Sequence, residues 1–140
     1  MITPLRLESS VAANAGSLSL LEVARSFLDL AREEMAAGYE ADDYRRTRDA
    51  AEKAWLAATQ AVDHSMQRHG LLPEPGAMAH HSRNRFLEKA GRSDLSEKLS
   101  FFADQLHGRI FYAGDIPERR RLEAMVEQVA QFVRDVTETV

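Results

Sequence analysis

The chain has 140 residues, of which 44% are hydrophobic and 29% charged, the size and balance of one ordinary globular domain. Eighteen Lys and Arg against 22 Asp and Glu give a net charge of −4 with His neutral. That argues against a general nucleic-acid binder built on a basic domain, although it permits a local basic patch. With no cysteine in the chain, disulfides, thiolate metal sites and a Cys nucleophile are excluded.

Residues 1–15 lack the unbroken apolar run of a secretory signal, and the reading is a flexible N-terminal tail. Leu5, Leu7 and Val11 are the tail's candidates for docking on a partner. No stretch reaches the roughly 18 consecutive apolar residues of a membrane span, so the expectation is a cytoplasmic protein with no membrane contact. Residues 16–140 then read as a single helical domain.

The first helix is expected over 17–37. Leu21, Ala24, Leu28, Ala31 and Met35 recur at three and four, with Leu20, Phe27 and Leu30 widening the stripe. Ser19 and Glu22 have capping-box spacing and Gly38 offers a stop. The second helix is expected over 41–68, with Tyr44, Ala51, Trp55, Ala58, Val62 and Met66 as its buried stripe. Alanines at 50, 51, 54, 57, 58 and 61 leave little bulk, so a neighbour can approach closely around Trp55. Gly70 and the LLPEPG segment end it. A short third helix over 77–90 stops at Gly91.

The fourth helix begins near Ser93 or Asp94, with Glu97 placed to help cap it, and carries Leu95, Leu99, Phe102, Leu106 and Ile110 as far as a break at Gly114. Pro117 suits the first turn of a fifth helix, which runs to about residue 138 on Leu122, Met125, Val129, Phe132, Val133 and Val136. No strand pattern competes. The fold class is therefore all-α, an up-and-down antiparallel bundle of four main helices plus a short one.

The histidines give no strong metal signal. His80 and His81 are adjacent and His64 and His69 are five apart, so neither pair shares a helix face. The one acid-x-x-His spacing, Asp104 to His107, falls short of the two such motifs a di-iron bundle uses. No metal site and no cofactor are expected, since Walker A, GxGxxG and GxSxG motifs are all missing. The acid pairs Glu33–Glu34 and Asp42–Asp43 read as solvated faces.

Three basic clusters stand out: Arg45, Arg46 and Arg48; Arg83, Arg85, Lys89 and Arg92; and Arg119, Arg120 and Arg121. Converging, they could clamp phosphates. Apart, they would pair with acids such as Asp42, Asp43, Glu88, Glu118 and Glu123.

The segment FFADQLHGRIFYAGDIP concentrates the unusual residues. On an α-helix His107 lies near Phe111 and Arg109 near Tyr112. Gly108 costs roughly 1 kcal/mol relative to Ala in a helix interior, which suggests a close backbone approach. The readings are tight packing of an aromatic helix end, or a polar pocket beside an aromatic wall. The candidate ligand-binding set is Asp104, His107, Arg109 and Tyr112, with Arg83 and Arg119 from the basic clusters. No catalytic residue is assigned.

Three segments carry a family resemblance: DAAEKAWLAATQAV with its tryptophan, ADQLHGRIFYAGDIP with its Leu-His then Phe-Tyr order, and the closing LEAMVEQVAQFVRDV. Over about residues 20–136 the chain resembles the PaREP-type proteins of the wider HEPN-like helical bundles. The resemblance implies an up-and-down bundle, a homodimer, and ribonuclease activity or partnership with a nucleotidyltransferase-type protein. Ribonuclease members carry Arg, four to six residues, then His. Here the required positions hold no Arg before any His: before His107 they are Ser100, Phe101 and Phe102. The expectation is thus a HEPN-like binding module without that motif, taking a nucleotide, RNA or a protein partner. A divergent ribonuclease or nucleotide-processing enzyme, with His107 as acid/base beside Arg109 or Arg83, and a purely structural helical assembly protein are the alternatives.

Overall fold

The computed structural model describes residues 18–140; the expected N-terminal tail lies outside them. Among the described residues the regular structure is entirely helical: α1 (Leu20–Glu40), α2 (Tyr44–Arg68), α3 (Met78–Lys89), α4 (Ser93–Phe102), a π-helix (Ala103–Tyr112) that continues α4, and α5 (Arg119–Thr139). No described helix is long and apolar enough to cross a membrane.

The α1 N-terminus forms the capping box the spacing implies, with Ser19 Oγ accepting from Glu22 N and Glu22 Oε1 accepting from Ser19 N. Its C-terminus differs from expectation. Gly38 does not stop the helix; it lies buried inside it, where a side chain would run into Thr47 of α2. The reversal falls to Asp42, at φ 51°, a left-handed conformation that Asp tolerates better than most residues. Asp43 then caps α2, its carboxylate accepting from Arg46 N at 3.1 Å.

Helix α2 is central and packs against α1, α3, the π-helix and α5. Its six interior alanines, at 50, 51, 54, 57, 58 and 61, are all fully buried, so neighbouring backbones come close with Trp55 filling the wider gap. Tyr44, expected in the buried stripe, is exposed, because it is the first residue of the helix, beyond the flank of α1. Cross-contacts fix the directions. Arg32 bonds to Glu127 and Arg119 reaches Glu40, so α1 and α5 are antiparallel. Arg48 meets Phe111 and Glu52 meets His107, so α2 and the π-helix are antiparallel too.

The core fills from α4, the π-helix and α5. Leu95, Leu99, Leu106, Leu122, Val126, Val129 and Val136 are fully buried, and Phe102 meets Phe132 edge-on at 5.5 Å. Two helix starts differ from the sequence reading. The α4 cap position is Arg92 with no side-chain cap, so Glu97 has no capping role. Pro117 stands two residues before α5, outside its first turn, where its carbonyl accepts from Tyr39 Oη at 2.7 Å.

Candidate functional site

The π-helix is the least ordinary element. Bonds from i+5 to i rarely extend beyond one turn, and such turns are frequent at functional sites. Here the pattern persists to its end, where Ala113 N donates to Gly108 O at 3.0 Å. Arg48 of α2 closes that end, its guanidinium donating to the carbonyls of Phe111 (2.8 Å) and Tyr112 (3.1 Å). A cation here satisfies orphan carbonyls and complements the negative end of the helix dipole. Arg48 is therefore committed to structure.

The wider turn has a direct consequence. In an i+5 helix, residues four and five apart both return to the same side. Phe111 stacks on His107 at 6.0 Å and 20°, and Tyr112 meets it edge-on at 4.8 Å. On an α-helix Tyr112 would turn away from His107, which is why the sequence pattern paired it with Arg109 instead. Arg109 in fact bonds to Asp115 at 2.9 Å on the exposed surface.

Helix α2 supplies the rest of the site. Glu52 Oε1 lies 2.7 Å from His107 Nδ1, both side chains being partly buried. With Nδ1–H donating to the carboxylate, Nε2 is the ring nitrogen left for another partner. One turn further along α2, Trp55 packs against His107 on one side (5.9 Å) and against His80 of α3 on the other (5.8 Å). Asn84 Nδ2 donates to the His80 carbonyl, and its Oδ1 accepts from Ser96 Oγ at 2.7 Å, which ties α3 to α4.

The six sequence-chosen residues do not form one cluster. His107 and Tyr112 come together. Asp104 is exposed and accepts from Gln105; Arg109 faces Asp115. Arg83 is locked bidentately on Asp63 of α2, and Arg119 pairs with Glu123 and Glu40. Glu52, Trp55 and His80 are what the sequence reading left out of the site. Glu52 and Trp55 lie at i and i+3 on one face of α2, a usable signal, but the 55-residue reach from Glu52 to His107 has no local signature. Gly108 proves unrelated to a neighbouring backbone: an added Cβ would meet only Ala103 O of its own helix, at 3.5 Å. Among the described residues no group of three or more His, Asp or Glu is arranged to hold a metal ion.

Burial pushes the His80 imidazole below the ordinary histidine range, and the charges of Arg83, His107 and His81 push the same way. Burial also lowers His64, helped by Arg68 and Arg25. A histidine that resists protonation only when folded lets the unfolded chain bind more protons, so stability falls as pH drops through the unfolded value of about 6.5. Thermal melts should therefore show Tm declining between pH 7 and pH 5, and the decline should be shallower in His80→Gln. An identical slope in that variant would contradict the assignment of His80.

The elements and site together define an all-α helical protein bearing a carboxylate–histidine pair in an aromatic setting. Compared with known proteins, the chain matches no family model, no curated protein and no solved structure.

Proposed function

We propose that the chain is a HEPN-like helical binding module that takes a nucleotide or single-stranded RNA on the surface around His107 and Tyr112. The observation that supports this most is Tyr112 itself: a large aromatic side chain 68% exposed, held by edge contacts to His107 and Phe111 rather than tucked into the core. Exposed aromatic faces on rigid elements are the platforms on which nucleobases stack, at roughly 1–3 kcal/mol per base. Rigidity comes from Arg48 at the helix end and Glu52 behind the imidazole. His107 Nε2 is left to meet a polar edge of the base or a sugar hydroxyl. Arg45, three residues before Arg48 on α2 and exposed, is the cation this reading assigns to a phosphate.

The test is a titration of a short mixed-sequence RNA and of ATP at low salt. Tyr112→Ala and His107→Ala should each weaken binding about tenfold, in line with one lost stacking or charge-assisted contact. Unchanged affinity in both variants would overturn the reading. The Glu52–His107 pair also supports a second reading, a nucleotide-processing enzyme with His107 as general base. Its mark is RNA cleavage that disappears in His107→Ala.

A further inference from the structure

The end of the bundle where α2 stops carries a second, separate feature. Gly70, at φ 75°, reverses the chain, and Leu71 N returns to donate to Met66 O at 2.9 Å. This helix-ending motif brings an apolar residue back onto the last turn. Leu72, held extended by the following Pro73, stands 76% exposed and Leu71 48%. With Met66 and with Phe86 of α3 they border an open cavity of about 660 Å³, within the roughly 300–1,000 Å³ typical of small-ligand sites.

The rim is cationic. Arg85 and Lys89 are four apart on α3, hence one above the other on the same face, and both border the cavity. Among the described residues neither forms an ion pair, whereas Arg83, Arg92, Arg109 and Arg119 all do. Glu74 is the acidic side chain on the rim, and Val140, the last described residue, borders it too, its backbone oxygen 3.1 Å from His69 Nε2. Exposed leucines and two unneutralised cations around one cavity present an apolar body and an anionic head with complementary surfaces.

We propose that this cavity binds a medium-chain fatty carboxylate, its chain along Met66, Leu71, Leu72 and Phe86 and its carboxylate between Arg85 and Lys89. This site is independent of the His107 surface.

Isothermal titration of the full chain with decanoate, decan-1-ol and decyltrimethylammonium, each below its micelle concentration, tests it. Decanoate should bind about tenfold more tightly than either other probe, the size of one charge-assisted contact. Arg85→Gln with Lys89→Gln should bring decanoate to the level of decan-1-ol. Both residues are exposed, so the variant is expected to fold, which circular dichroism verifies. Leu72→Asp should weaken all apolar binding. Equal affinity for the three probes, no effect of the double charge substitution, or no decanoate binding at low salt would each overturn the proposal.

Discussion

Replacing Gly38 with alanine lowers stability by about 3 kcal/mol, the upper end of the overpacking range, and Tm by roughly 10 °C. An alanine Cβ at this position would lie 2.9 Å from Thr47 N and 3.2 Å from Thr47 Cα, with the Thr47 hydroxyl closer still. The obstruction is backbone in the first turn of α2, which Asp43 caps and which cannot retreat without undoing that cap. Nor can α1 shift away, since Ala24, Leu28, Ala31 and Met35 of the same helix are buried in the core. Gly108→Ala is the control. Its added methyl meets only a carbonyl at ordinary contact distance, so stability should stay within about 1 kcal/mol of the parent, with alanine's better helix propensity as compensation. Urea unfolding followed by circular dichroism measures both. Comparable losses at the two positions would mean that the α1–α2 approach is not the tight point of the fold.

That contrast shows what the sequence makes legible. Helix positions follow from apolar periodicity, and the Ser19–Glu22 box and the Ala-rich face of α2 can be read residue by residue. Glycine is more ambiguous. Gly38 has the look of a helix stop and is a packing notch, while Gly108 has the look of a packing notch and a side chain added there would meet no other element. The difference lies in what stands opposite, and a single sequence does not encode that locally. The π-helix is hidden for a related reason. Its residues satisfy an α-helical pattern, with Leu99, Phe102, Leu106 and Ile110 at three and four, and only the altered turn brings Tyr112 over His107. Glu52 is an unremarkable acid on an amphipathic helix until the fold sets it against His107. The basic clusters separate in the same way. Arg83 is held by Asp63 on the preceding helix, and Arg119 by Glu40, 79 residues earlier on α1, as well as by its helix neighbour Glu123.

Truncating Arg83 to alanine costs about 3 kcal/mol, the lower end of the loss expected when one partner of a buried ion pair is removed. Its guanidinium donates from Nε to Asp63 Oδ1 at 2.8 Å and from Nη2 to Oδ2 at 3.1 Å, with only 15% and 11% of the two side chains exposed. Without Arg83 the Asp63 carboxylate is left nearly buried and uncompensated on α2. The effect is large because α3 has few other anchors: Leu87 is its one fully buried residue, assisted by the contacts of His80 with Trp55 and of Phe86 with His69. Replacing both partners, Arg83→Met with Asp63→Leu, should recover most of the loss, since an apolar pair of similar volume removes the stranded charge. The same variant decides between two roles for Arg83. If it served a phosphate ligand, its loss would weaken nucleotide or RNA binding by the folded protein. Committed to Asp63, it should leave that affinity within about twofold once the unfolded fraction is counted. Tyr112→Ala should do the reverse, weakening binding while shifting stability by less than about 0.5 kcal/mol, as exposed substitutions do. A loss of affinity in Arg83→Ala that persists at full folding would return Arg83 to the binding surface and mean that the ion pair opens to receive the ligand.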